Sequence, residues 1–442
     1  MQDRIKELAA VHHRRWTTEL FGQELQPETF ATCKADLMLS GNATSFTYQQ
    51  DGIGRMRFAN ASTISHDGHP GRKFHFCISN PPFGTPWKND LATMGCGTDK
   101  SRITDPRFFG KLDGRTLSFV PGIGDPQMLF LANNVSRMMD DEQGTRIVEI
   151  HNGSSLFTGN ADGGESNLRR YIIENDLLEA IVAMPENMFY NTGIGTFVWI
   201  VTNRKEARRR GKVQLIDATA IKTPLRKNLG NKNCETNEAD RRAIVDLLMR
   251  FEENEQSRIF DNREFGYWQV TVDRPLRLRV VPDADLSAGK LKEAEIALCR
   301  EAIANVAPEV PLTNWNLYAS ALHLKAALLK KLRPLITVAD PAANIVRDSK
   351  QPHLCETDPA LRDTEQIPLL YPGGIAAFME NEVLPYAPDA FVDEDKTVIG
   401  YELSFTKYFY RPVELRSRET IAAEIRELEA TTDGLLNAIL ND

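Results

Sequence analysis

The residues of this chain best suited to chemistry are Asn80-Pro81-Pro82-Phe83, which follow the apolar run Phe74-His75-Phe76-Cys77-Ile78 after a single serine. An exocyclic amine on a nucleobase is a poor nucleophile, because its lone pair is delocalised into the ring. Two acceptors aimed at the amine protons draw that lone pair out of conjugation. Asn80 supplies a side-chain carbonyl and Pro81 a backbone carbonyl, while Phe83 offers a ring on which an extruded base can stack. Pro82 stiffens the turn. The same residues also make an ordinary turn, so their surroundings have to decide between the two readings.

The elements that must hold them follow from the patterning. A run of Phe, Cys and Ile ended by Asn-Pro-Pro predicts a central, buried parallel strand. Two prolines forbid both a continued ladder and an immediate helix, so the chain leaves the sheet at its carboxyl edge, where open α/β sheets bind ligands. Before it, residues 2–16 predict a helix ending in His12-His13-Arg14-Arg15, Leu20 to Leu25 a short strand, Pro27 to Ser40 a helix, and 56–64 a strand region. After it, apolar spacing predicts a helix from Asp125 to Met139 and another over 165–175. Strands are predicted at Arg146 to Ile150, Ala180 to Met184, Thr196 to Thr202 and Val213 to Asp217. This alternation predicts a doubly wound α/β sheet. Residues 85–124 are polar and rich in Gly, Asp and Thr. They read as a lid or DNA-facing loop, with disorder as the competing reading. After Pro282 the composition shifts towards helices, at 287–306, 318–333 and 374–387, and a last helix from about Ser417 carries Ile421, Ile425, Leu428 and Leu435 as a seam for another helix.

The Asn-Pro-Pro-Phe motif resembles that of the amino-methyltransferases, and most of all the modification subunit of type I restriction systems. Further segments carry the resemblance: Gly22-Gln23-Glu24, the loop from Met184 to Ile194, Tyr267 to Arg277, Arg362 to Glu365 and Phe405 to Tyr410. It implies an adenine-N6 DNA methyltransferase using S-adenosylmethionine, with Asn80, Pro81, Pro82 and Phe83 at the catalytic turn. Glu24 is then expected to accept hydrogen bonds from the cofactor's ribose hydroxyls. Ser62 stands where relatives have an acidic residue facing the cofactor's adenine, and a hydroxyl there lacks charge assistance. A second departure is His75, where many relatives have Asp. Phe189 and Tyr190 lie where the family's aromatics border the target-base pocket, although such rings also serve to plug a sheet edge. Gly193-Ile194-Gly195 lacks the context of a phosphate loop.

Such sheets normally begin with a strand and a Gly-rich turn against the methionine end of the cofactor, and this chain has no such turn. The resemblance therefore predicts an incomplete doubly wound methyltransferase domain over residues 1–280 and a mainly helical region over 281–442 for subunit contacts. Implied partners are double-stranded DNA, a DNA-specificity subunit, a second modification subunit, a nuclease-translocase restriction subunit and a separate polypeptide supplying the absent segment. A non-catalytic assembly or DNA-clamping protein is the rival reading, and a protein-glutamine methyltransferase, which generally has Tyr as the aromatic, ranks below it.

Composition sets bounds. The 442 residues are 42% hydrophobic and 26% charged, an ordinary balance for two or three globular domains. A formal charge of -8 argues against a free-standing nucleic-acid binder, so DNA contact should be local or shared with a more basic partner. The six cysteines form no Cys-x-x-Cys pair, so neither a zinc site nor a disulfide framework is expected. No apolar run approaches a membrane span, and a cytoplasmic protein is expected. The isolated chain should bind S-adenosylmethionine poorly; micromolar binding in a calorimetric titration would contradict this.

Overall fold

The structure, a computed structural model, describes residues 2–13, 19–39, 56–190, 192–348, 351, 353–410 and 417–440. Arg14 and Arg15, and with them part of the basic cluster, lie outside the described residues, as does Ser40. The described chain forms two compact units, residues 1–403 and 404–442.

In the first unit the strands are β1 (Leu20–Glu24), β2 (Met56–Asn60), β3 (Phe76–Ser79), β4 (Phe109–Leu112), β5 (Arg115–Ser118), β6 (Arg146–Asn152), β7 (Leu178–Ala183), β8 (Thr196–Thr202) and β9 (Lys212–Asp217). They continue with β10 (Thr223–Leu229), β11 (Lys232–Glu235), β12 (Ser257–Asp261), β13 (Gly266–Asp273), β14 (Leu278–Val280), β15 (Thr337–Ala339), β16 (Asp363–Pro368) and β17 (Phe391–Tyr401). Six of these make the main sheet, in the order β12-β9-β7-β8-β6-β3. It is mixed: β3 runs parallel to β6 and β7 to β9, while β8 is antiparallel to both neighbours. Every residue of β7 is buried, and helices Gln127–Ser136 and Gly164–Glu174 cover the sheet with Met128, Leu129, Leu131, Leu168 and Ile172. Both helices fall in the segments where helices are expected from the sequence, 125–139 and 165–175, the second starting one residue earlier. The chain thus carries a mixed α/β sheet covered by helices.

The strand expected at the centre lies elsewhere. β3 is an edge of the main sheet, and of its apolar residues Cys77 is buried whereas Phe76 and Ile78 are 52% and 63% exposed. The correction has a simple cause: among the described residues β3 pairs with β6 alone, and its other edge lines a cleft. On the far side of that space β1 and β2 pair parallel as a separate two-stranded sheet, from Leu20↔Met56 to Glu24↔Asn60. Two-stranded parallel sheets on their own are rare, because parallel strands are normally covered and flanked.

Residues 85–124 are folded rather than disordered, and Thr85, Pro86, Trp87, Asn89 and Asp90 line the same cleft. A helix at Lys88–Thr93 and the β4–β5 hairpin bury Trp87, Leu91, Phe108, Leu117 and Phe119. Their polar composition reflects turns, since Asp99 and Asp105 accept hydrogen bonds from the backbone N–H of Ser101 and Arg107. Gly164 is required where this segment packs, because a Cβ there would collide with the Val120 carbonyl.

Farther along, β13 pairs antiparallel with both β16 and β17. This brings together two segments that the resemblance picked out separately: Arg362 makes a bidentate ion pair to buried Asp273, at 2.7 and 3.1 Å. A second core forms around Trp315, Tyr318, Leu332 and Ile336. The helix predicted over 318–333 is two, Trp315–Ala321 and Ala326–Ile336, because His323 adopts φ 49° between them. The helix predicted over 374–387 shortens to Gly374–Phe378 followed by a π-helical turn. In the second unit, helix Arg418–Leu440 spans most of the predicted terminal seam.

Arg169, fully buried on helix Gly164–Glu174, donates to the carbonyls of Tyr401, Ser155 and Thr158 at 2.6, 2.9 and 2.8 Å. Burial pulls its pKa down to about 10. Arg169→Met strands two buried carbonyls and the part-buried carbonyl of Thr158, each costing on the order of 1 kcal/mol or more. We expect urea unfolding to lose about 3 kcal/mol, with Arg169→Lys restoring only part of it.

Candidate active site

β3 ends at Ser79 because the next two peptide units beyond Asn80 lack N–H groups. Asn80 is exposed, Pro81 is buried and Phe83 is half-buried. All of Asn80, Pro81, Pro82 and Phe83 line one cleft of about 1760 Å³ between β1 and β3. Glu24, Ser62, Phe189 and Tyr190 line the same cleft. The eight residues singled out in the sequence are therefore brought together, from four stretches of chain. Among the described residues, no donor reaches the Asn80 side chain or the Pro81 carbonyl.

A buried polar network underlies the turn. Glu149 and His151 on β6, both fully buried, lie 3.1 Å apart. Asn134 donates to the second Glu149 oxygen at 2.7 Å and also reaches the Ser79 hydroxyl at 3.2 Å. The residue before Asn80 is thus fixed by a carboxylate that no sequence motif announced; the alternation of β6, with Ile147 buried, assigns Glu149 only to a face of the strand. Next to it, burial and the Glu149 charge push the Cys77 thiol up to about 12, so it stays neutral.

The other wall presents carboxylates. Glu24 closes β1 opposite Asn60, and one of its oxygens accepts from the Gln26 N–H at 2.7 Å. The Ser62 hydroxyl is already engaged. It donates to Asp90 and accepts from the Ile64 N–H, and Ser65 donates to the same Asp90 oxygen at 2.7 Å. Asp90 also lines the cleft. It went unnoticed in the sequence because it lies 28 residues from Ser62, inside the segment read as a loop. His75, the other departure, sits 3.1 Å from Asp141.

Two arginines clamp this wall onto helix Gln127–Ser136. Arg107, almost fully buried, donates to the carbonyls of Thr63 and Ile64 at 2.7 and 2.9 Å, to Asn133 at 3.0 Å and to Asp105. Arg137 binds the His69 carbonyl and Asp67. Burial alone would raise the pKa of both aspartates, but the hydrogen bonds from Arg137 to Asp67 and from Arg107 to Asp105 outweigh it. Both carboxyls lie below the ordinary range. On the remaining side, Phe189 is half-buried and Tyr190 exposed, in a loop turned by Asn187 at φ 57°. Asn191 lies outside the described residues.

Comparison with known proteins gives a consistent set. The family model for N-6 DNA Methylase matches residues 3–266. The type I restriction enzyme MjaIX methylase subunit of Methanocaldococcus jannaschii is 26% identical over 257 residues, covering 58% of this chain and 39% of that protein. The HindI methylase subunit of Haemophilus influenzae is 26% identical over 205 residues, covering 46% of this chain and 38% of that one. The alignments thus span well under half the length of these relatives. A type I restriction-modification methyltransferase subunit from Streptococcus thermophilus superposes with a TM-score of 0.42 at 23% identity, over 55% of this chain and 45% of that one.

Removing one partner from such partly buried pairs typically costs about 3 to 5 kcal/mol. We expect that loss for Arg107→Met at neutral pH. Because the folded aspartate pKa values are depressed, their contribution is complete above about pH 5 and is lost as pH falls through those values. Urea midpoints measured across pH 3–7 should show a shallower acid-side decline in Arg107→Met than in the unmodified chain.

Proposed function

Because the chain belongs to the N-6 DNA methylase family, we propose that it forms the later part of a type I modification subunit, which transfers methyl from S-adenosylmethionine to adenine N6 in DNA. The observation that carries the reading is the pair of acceptors unclaimed among the described residues, the Asn80 side chain and the Pro81 carbonyl, at the rim of the cleft that Phe83, Phe189 and Tyr190 also line.

S-adenosylmethionine, when bound, supplies an electrophilic methyl group on sulfur. The chain's own residues do the rest. Asn80 and Pro81 accept hydrogen bonds from the two amine protons and so concentrate the lone pair on N6, and one of those protons passes to solvent once N6 carries the methyl group. Pro82 holds their spacing, and Phe83 stacks on the base with Phe189 or Tyr190 on its other side. Glu24 has one oxygen with no donor among the described residues, which suits the ribose hydroxyls. Asp90, steadied by Ser62 and Ser65, offers the adenine of the cofactor the charge-assisted acceptor that Ser62 alone lacks. These groups are preorganised by the main sheet and the arginine clamps, so catalysis is mostly positioning and polarisation.

The residues present fit the nucleoside half of the cofactor. For the methionine half, we assign the space between the facing edges of β1 and β3 to a further strand with its glycine turn, from whichever polypeptide carries it. Residues 1–280 are taken as the methyltransferase portion and 281–442, with helix Arg418–Leu440, as the region for the DNA-specificity subunit, a second modification subunit and the nuclease-translocase subunit.

The test is methyl incorporation into duplex DNA by the assembly of this chain, the glycine-turn segment and the specificity subunit. Asn80→Ala should lower the rate about 10² to 10³-fold, as loss of one oriented polar group at a reacting centre does. Calorimetry should find its cofactor affinity unchanged. Equal rates for the two chains refute the reading, and no transfer by the unmodified assembly favours the non-catalytic assembly role instead.

A further inference from the structure

The chain is acidic overall, yet one projecting element is not. The β10–β11 hairpin and the residue leading into it carry Lys222, Arg226, Lys227 and Lys232 against one carboxylate, Glu235 at its root. Lys222, Arg226 and Lys227 are exposed, and none of them forms an ion pair with a described carboxylate. The pairing register explains how two of them are displayed. Pro224 faces Cys234 and Leu229 faces Lys232, so the four residues 225–228 stand opposite Asn233 alone. They form a bulge, the device by which strands re-aim side chains. The bulge puts Arg226 and Lys227 outside the ladder.

The hairpin is fixed at its base and against the cleft. At the base, Thr223 and Asn237 join the capping box of helix Glu238–Arg250 through Asp240. Along its return strand, the Asn233 N–H donates to the Asn187 carbonyl at 3.1 Å and the Cys234 thiol to the Glu186 carbonyl at 3.3 Å. Lys232 lies over the ring of Tyr190, 4.9 Å from its centre. Tyr190 lines the cleft that holds Asn80 and Phe83. Lys232 is thereby engaged by an aromatic, and the other three cations have no ion-pair partner among the described residues.

We propose that Lys222, Arg226 and Lys227 bind the backbone phosphates of the DNA strand flanking the base held at Asn80. The proposal rests on the reading of the cleft as a DNA-adenine site and adds to it a contact surface outside the pocket. Seven strand residues extend about 20 Å, which covers several nucleotides. The arm presents cations and the amides of Asn228 and Asn231, with Leu229 as its one strongly exposed apolar side chain. A protein partner's interface has an apolar centre, and this arm has none; a polyanion is the better match, because phosphate contacts need clustered Lys and Arg.

Fluorescence anisotropy with the full chain and a labelled 20-base-pair duplex, titrated across salt concentrations, tests it. The combined variant Lys222→Gln, Arg226→Gln, Lys227→Gln should bind about 10 to 100-fold more weakly at 0.1 M salt, whatever the DNA sequence, and the log–log salt slope should shrink by about three. A variant that exchanges Lys and Arg at the same three positions should keep the slope, which separates charge from misfolding. Unchanged affinity and slope overturn the proposal, as does absence of salt-dependent binding by the unmodified chain in low salt. Loss of specificity-subunit capture with an unchanged DNA slope overturns it in favour of a protein partner. None of these results touches the adenine reading, which fails separately if Asn80→Ala leaves methyl transfer intact.

Discussion

The candidate site depends on a constraint of the main chain: β3 has to stop at Ser79 because Pro81 and Pro82 bring no N–H with which to continue a ladder. A strand that ends this way delivers its next side chain and carbonyl to the sheet rim, away from the hydrogen bonds that would otherwise occupy them. Asn80 and Pro81 remain unclaimed for that reason. The buried network beneath, from Glu149 through Asn134 to Ser79, limits how far the rim can shift.

The walls of the cleft are held by a different kind of force. β1 and β2 receive no ladder bonds from the main sheet, so the segment after β2 is attached by side chains. Arg107 and Arg137 perform this with guanidinium forks that each satisfy carbonyls and a carboxylate together. A planar donor set suits this task, since several acceptors from an irregular turn have to be met at once. The result is a wall that presents Glu24 and Asp90 to the open space while its own polar groups are satisfied.

Much of this was legible in the residues. The prolines after Asn80 fixed the end of a strand, the apolar spacing of 125–139 and 165–175 marked two covering helices, and the run Thr196 to Thr202 became β8 with its limits unchanged. What could not be read concerns partners across the chain. Phe76 and Ile78 look like core residues, and only the sheet order puts them on an edge. The polar stretch 85–124 hides Trp87 and Phe108 among turn-forming aspartates, so its fold depends on packing that periodicity does not report. Asp90 is an ordinary surface residue until Ser62 and Ser65 are brought beside it, and the pairing of Asp273 with Arg362 joins positions 89 residues apart.

The contact of Arg169 with Tyr401 spans 232 residues. A ribosome adding about 5 to 20 residues per second needs roughly 10 to 50 s to make that stretch. Throughout that interval the growing chain holds a guanidinium destined for a dry interior without one of its three acceptors, and β13, once made, lacks β17 until its end. Packing around helix Gly164–Glu174 is therefore completed late in translation, well after all six strands of the main sheet have been made.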